Sequence, residues 1–294
     1  MTVKIYLEQF RIASPSDEER FILNFPYQLE MACYSHTNVY PFKIFPQKRL
    51  QKLSFSPITI FYGGNGSGKS TLLNIIAEKL CLRRSAPFND TPYFSSYLEY
   101  CSAEIAVDIP KESKLIASDD VFDFLIELRS INEGIDRKRN ALFEEYESLR
   151  GEEFLLRSLD DYAEFKRRNE TKRKTKSVYT SKRLPKEISG MSNGESAFAY
   201  FTNAIKEDAL YLLDEPENSL SPKLQGELAE FLENSARFYN CQLIISTHSP
   251  FLLSMKGAAV YDLDSVPVMP KKWTELENVR AYYDFFKKHE NQFR

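Results

Sequence analysis

Ile58-Thr59-Ile60-Phe61-Tyr62-Gly63-Gly64-Asn65-Gly66-Ser67-Gly68-Lys69-Ser70-Thr71, followed by Leu72-Leu73-Asn74-Ile75-Ile76-Ala77-Glu78-Lys79-Leu80, is the stretch on which the fold turns. Its first five residues are an apolar run that predicts a buried strand, and the spacing of the last nine predicts a helix packed on a sheet. Between them lies a complete phosphate-binding loop, G-x4-G-K-S. Its glycines let the backbone wrap a phosphate, so that successive N–H groups and a helix N-terminus face negative charge. Lys69 then offers a cation to the terminal phosphates and Ser70 a hydroxyl to Mg²⁺. The candidate nucleotide contacts are Gly63, Asn65, Gly66, Ser67, Gly68, Lys69, Ser70 and Thr71. A glycine turn with an incidental lysine is the bland alternative, and the flanking strand and helix weigh against it.

The chain has 294 residues, enough for one large domain or two modest ones, and a formal charge of −3. That balance excludes a uniformly basic nucleic-acid coat. Cys33, Cys81, Cys101 and Cys241 are scattered without a CxxC pair, which argues against a disulfide framework or zinc site and fits a reducing cytosol. No apolar run is long enough to span a bilayer, and Lys4, Glu8 and Arg11 interrupt the N-terminus where a signal peptide would need its core. A cytoplasmic protein without a membrane partner is expected.

Outward from the loop, residues 1 to about 62 look β-rich, with strands expected at Val3–Leu7 and Arg20–Phe25. Ala103–Ile109 alternates like a half-buried strand. From Asp119 the pattern turns helical, with Val121, Phe122, Leu125, Ile126, Leu128 and Ile131 on one side, and continues beyond Arg150 through Phe154, Tyr162 and Phe165. A basic stretch follows, with Lys166, Arg167, Arg168, Lys172, Arg173, Lys174, Lys176, Lys182, Arg183 and Lys186. Such a run is either a solvated surface or a phosphate-contacting patch; Tyr179, its one aromatic, gives base stacking little support. Uninterrupted apolar runs at 209–213, 242–246 and 259–263, alternating with helical segments near 194–206 and 222–238, predict an α/β fold with a parallel sheet. The tail, with Leu276, Val279, Tyr282, Tyr283 and Phe286 at helical spacing, reads most simply as a terminal helix capping the core.

Asp214-Glu215-Pro216 ends one of these strands. An aspartate there can hold Mg²⁺ and the next glutamate can polarise water for attack on a γ-phosphate. Met191-Ser192-Asn193-Gly194-Glu195 precedes it, and Ser246-Thr247-His248-Ser249-Pro250 follows a further strand. Singly, paired acids, a capping turn and a lone histidine are each more often structural.

Together with the P-loop, these elements in this order resemble the ATP-binding-cassette (ABC) ATPases. The segment Glu215-Pro216-Glu217-Asn218-Ser219-Leu220-Ser221-Pro222 and the run Thr247–Leu253 resemble the branch of SMC, RecF and OLD-nuclease heads, whose small bacterial members are commonly labelled AAA-family ATPases. The resemblance implies a P-loop NTPase of ABC/SMC-head type spanning 1–294, with core 1–109 and 189–294 and a helical, basic insertion at about 110–188. It implies Mg²⁺-dependent ATP hydrolysis, with Lys69, Glu215 and His248 catalytic and Ser70 and Asp214 on the metal. Ser192, Gly194 and Glu195 would meet the nucleotide of a second copy, making a homodimer on ATP binding. A separate effector such as a nuclease, and DNA contact through residues 166–186, are open partner readings, as is a mobile-element or antiviral setting. A transporter's ATP-binding subunit and a nucleotide-gated scaffold with little hydrolysis are the alternatives. One departure matters: no glutamine occurs between Lys52 and Leu224, so the Q-loop ligand is missing, and Ser118, Asp119 and Asp120 are the candidates to replace it.

Overall fold

The structure is a computed structural model, in which residues 4–23, 39–151, 171, 175–181 and 192–293 are described. They form two compact units, one from residues 1–121 and 193–294, the other from 122–192.

The larger unit holds two sheets. Strands β1 (Leu7–Arg11), β2 (Lys52–Ser54) and β4 (Ser102–Ile105) form an antiparallel sheet in the order β2-β1-β4, with Phe10 opposite both Leu53 and Ala103. The strands of the second sheet are β3 (Ile58–Tyr62), β5 (Lys114–Ile116), β6 (Leu210–Asp214), β7 (Gln242–Ser246), β8 (Ala259–Asp262) and β9 (Met269–Pro270). They run in the order β5-β6-β7-β3-β8-β9, parallel except for β9. β3 and β7 are buried at every residue, the polar Thr59, Gln242 and Ser246 included, as strands covered on both faces are. The α/β class is as expected, and β5 adds a strand from the segment expected to open the insertion.

The helix Lys69–Lys79 buries Leu72, Leu73, Ile75, Ile76 and Ala77, the i, i+3, i+4 stripe of a helix laid on a sheet. The helix Pro222–Phe238 starts with Pro222 at N1 and Ser221 as N-cap, accepting from Leu224 N–H at 3.4 Å, and buries Leu228, Ala229 and Leu232. Gln242, fully buried in β7, joins the two sheets. Its Oε1 accepts from Tyr6 N–H and Leu7 N–H, both at 2.9 Å, and its Nε2 donates to Leu7 O at 2.8 Å.

Four expectations need correction. The stretch from Arg20 is not a strand: Pro15–Leu23 is a helix, started by a reciprocal cap in which Ser14 N–H donates to Asp17 Oδ2 and Asp17 N–H donates to Ser14 Oγ. The apolar Phe21 inside it stacks on Phe42 at 4.2 Å, which explains its density of apolar residues without a sheet. Phe25 lies outside the described residues. Among the described residues the first strand begins at Leu7 rather than ending there, and the Tyr6 N–H just before it is taken by Gln242 Oε1. The strand expected at Ala103–Ile109 stops at Ile105, on the sheet's edge. The terminal helix Glu277–Lys288 buries only Val279, with Leu276 just before it; Tyr282, Tyr283 and Phe286 are exposed, so it covers the core far less than its spacing suggests.

The smaller unit holds the helix Ser118–Gly151 from Phe122 onward. Ile135, Leu142 and Leu149, seven residues apart, are buried with Leu125 and Tyr146, while Phe122, Ile126 and Ile131 of the expected face are exposed. Val121 and Leu125 of that face are buried as expected, and the buried positions further along the helix follow a near-heptad repeat. In the short helix Lys176–Ser181, Tyr179 is fully buried, tilted against Tyr146 at 5.5 Å, and donates to Glu145 Oε1 at 3.1 Å. It therefore presents no face for base stacking. Lys176 pairs with Glu147 and lies over the Phe143 ring. The other residues named in the basic stretch, and Phe154, Tyr162 and Phe165, lie outside the described residues.

No helix among the described residues is long and apolar enough to cross a membrane.

Candidate functional site

Parallel strands bring their C-terminal ends to one edge, and ligands of open α/β sheets bind there. Here Asp214 lies opposite Ser246 and Tyr62 opposite Asp262, so the P-loop, Asp214-Glu215, Ser246–His248 and Asp264 meet at one edge.

The loop conformation explains its glycines. Gly66 and Gly68 have φ of +78° and +93°, which side-chain-bearing residues rarely adopt, and Gly68 is the N-cap of the helix that follows. A Cβ on Gly63 would lie 2.5 Å from Ser67 Oγ. Ser67 Oγ is buried without a hydrogen-bond partner among the described residues, an orphan donor within a cradle of backbone N–H groups. That combination fits a phosphate.

Lys69 is buried, and its Nζ donates to Gly63 O at 2.7 Å and Gly64 O at 3.2 Å and lies 3.5 Å from Glu215 Oε1. Asp214 accepts from Ser246 Oγ and shares a hydrogen bond with Ser70. Burial raises the Asp214 pKa above its usual value, Ser246, Ser70 and Lys69 oppose the rise, and the Glu215 charge adds to it. A hydroxyl and a carboxylate joined in this way fit the protein's share of a Mg²⁺ shell, which keeps several waters and takes the rest from phosphate. Bound there, Mg²⁺ would polarise phosphate oxygens and neutralise developing charge.

Glu215 has φ of +48°, an uncommon left-handed conformation for a side-chain-bearing residue, and its N–H donates to Ser246 O at 3.0 Å. Its Oε1 lies 3.9 Å from His248 Nδ1, and its Oε2 accepts from Asn218 Nδ2 at 3.3 Å. His248 is half exposed. An acid, a cation and an imidazole thus converge beside the phosphate loop.

Asn193, Gly194 and Glu195 open the helix Asn193–Ala204, and the exposed Ser192 immediately precedes it. A Cβ on Gly194 would come within 3.0 Å of Leu224 Cδ1 and 3.3 Å of Ser219 O, and no P-loop atom lies within 4 Å of it. Gly194 therefore packs on the turn after β6. Of the candidates to replace the Q-loop, Asp120 is committed, its two oxygens accepting from Ala86 N–H at 2.9 Å and Ala117 N–H at 2.8 Å.

Sequence reasoning missed several neighbours. Tyr40 donates to Thr71 Oγ1 at 3.1 Å, and Asp264 accepts from Gly64 N–H at 2.7 Å. Asn278 donates to His248 O at 2.9 Å. Ser246 and Glu217 stand within the quoted motifs, which flagged them without giving them a role.

Residues 106–254, just over half of the chain, match the protein family described as "AAA domain, putative AbiEii toxin, Type IV TA system". The chain belongs to this family. The P-loop at the edge of a parallel sheet and the membership in an AAA family together make it a P-loop NTPase fold. Among solved structures it is similar to the SMC head domain from Thermotoga maritima, at 14% identity over 91% of this chain and 99% of that one, with a TM-score of 0.40. A dimeric ATP-binding cassette in a post-hydrolysis state with ADP and phosphate shares 15% identity over 76% of this chain and 90% of that one, with a TM-score of 0.37. No curated protein matches.

Proposed function

We propose that this chain is a Mg²⁺-dependent ATPase that converts ATP and water to ADP and phosphate. The convergence of Lys69 Nζ and His248 Nδ1 on Glu215 Oε1, at 3.5 and 3.9 Å, carries this reading. In it, the loop from Gly63 to Thr71 binds the phosphates, Ser70 and Asp214 hold the metal, and Glu215 orients the attacking water. His248 senses the γ-phosphate. Two copies sandwich the nucleotide, each offering Ser192, Gly194 and Glu195 to the other's P-loop.

The family's description as a putative toxin of a type IV toxin–antitoxin system supports a mobile-element or defence setting. A separate effector such as a nuclease is the partner this reading expects. DNA contact through residues 166–186 gains nothing from Lys176 and Tyr179, whose polar groups are engaged within the protein.

The test is Lys69→Ala, which removes the cation from the loop. Equilibrium ATP binding and steady-state turnover should both fall, turnover by about 10²-fold or more. Wild-type affinity and turnover in this variant would place the nucleotide elsewhere.

A further inference from the structure

Glu217 is a buried carboxylate to which the ATPase reading gives no role. It is 5% exposed and sits in the turn between β6 and the helix Pro222–Phe238. Its Oε1 gathers three donors from the loop after β7: Thr247 Oγ1 at 2.6 Å, His248 N–H at 2.9 Å and Ser249 N–H at 3.2 Å. His248 Nδ1 lies 3.4 Å from the same oxygen. Oε2 is buried with no hydrogen-bond partner among the described residues. A carboxylate kept out of water with one oxygen unmatched is costly, and three donors on the other oxygen show where its charge is used.

The His248 peptide is thereby gripped at both ends, its N–H by Glu217 and its C=O by Asn278 Nδ2 at 2.9 Å. The turn that carries Glu217 also fixes Glu215, because Asn218 donates through N–H to Glu215 O at 3.1 Å and through Nδ2 to Glu215 Oε2 at 3.3 Å. Ser249 Oγ extends the same network to Gln225 Oε1 at 2.7 Å, and Gln225 Nε2 returns it to Leu220 O at 3.0 Å.

We infer that Glu217 is a positioning residue that locks the loop 247–249 onto the turn 215–220, holding His248 and Glu215 at a fixed mutual spacing. The consequence for turnover rests on the ATPase reading, whereas the lock itself does not. An amide keeps an acceptor for the three donors but loses the charge that roughly doubles the strength of such bonds, and it aims an NH₂ where no acceptor stands.

Glu217→Gln should lower kcat about tenfold and leave ATP affinity within about threefold, the pattern of an interaction used in the transition state. The double variant with His248→Ala should be no slower than His248→Ala alone, since a residue acting through another has nothing left to act on. Multiplying losses, or full turnover in Glu217→Gln, would overturn the inference. Hydrogen exchange resolved at single amides gives a second readout independent of catalysis. The His248 and Ser249 amides should exchange faster in Glu217→Gln while those of β6 keep their protection, and unchanged protection at His248 would overturn the lock. Should the wild-type chain hydrolyse no ATP, the ATPase reading fails and the exchange result alone decides on Glu217. Should Glu217→Gln fail to fold, Thr247→Val, which removes the shortest of the three donors, takes the same measurements with the same expected direction.

Discussion

At the scale of single residues, Glu18 shows how burial becomes a pH dependence. It is buried on the helix Pro15–Leu23, its Oε2 accepts from Lys43 N–H at 2.7 Å, and its Oε1 has no partner among the described residues. Burial lifts its pKa from 4.5 to about 7, with Lys43 offsetting only part of the rise. A raised carboxyl pKa favours the neutral form in the folded state. Its contribution is therefore complete below pH 4.5 and lost as the pH climbs through 7. The loss is on the order of 3 kcal/mol. Glu18→Gln cannot ionise and still offers Lys43 an acceptor, so its stability advantage over wild type, from denaturant unfolding, should grow from near zero in acid to about 2–3 kcal/mol at pH 8. An advantage that does not change with pH would mean Glu18 ionises unhindered. Residues like this leave no mark in a sequence, because the signal is the surroundings. Lys69, Glu215 and His248 were legible because each stands in a local motif. Asp264 and Asn278 were not, because the backbone groups they hold belong to Gly64, 200 residues away, and His248, 30 residues away.

At the scale of elements, legibility followed burial. The runs of β3 and β7 are mostly apolar because both faces are covered, and their ends were read within a residue. The helix Pro15–Leu23 was misread because Phe21, Ile22 and Leu23 resemble a strand when taken alone, yet Ser14 and Asp17 already spelled its N-terminus. Gln242 was invisible inside its strand, although it satisfies two N–H groups and one C=O of the neighbouring sheet. Gln242→Leu would strand all three in the core at about 1–3 kcal/mol each, with incomplete additivity. Urea unfolding should show a loss of about 3 kcal/mol or more, and an unchanged midpoint would mean the sheets are joined by packing alone.

At the scale of the whole molecule, Ser192, Gly194 and Glu195 find their use in a second copy under the proposed reading. Gly194 packs on its own chain's Ser219 and Leu224, and no P-loop atom lies within 4 Å of a Cβ built on it. Sedimentation of Glu215→Gln with Mg-ATP should show a shift from monomer to dimer, and adding Ser192→Arg, which sets a bulky cation where the partner's nucleotide would lie, should abolish the shift. Full ATPase activity in Ser192→Arg would contradict the sandwich while leaving the single site intact.

Glu215 carries the central claim, since it is the carboxylate on which both Lys69 and His248 converge. Phosphate release by wild type and Glu215→Gln, at equal and saturating Mg-ATP, tests it most directly. The amide keeps the shape but cannot orient water as a carboxylate does, so ATP should remain bound while release slows by about 10²–10⁴-fold. Release at the wild-type rate from Glu215→Gln would contradict the account.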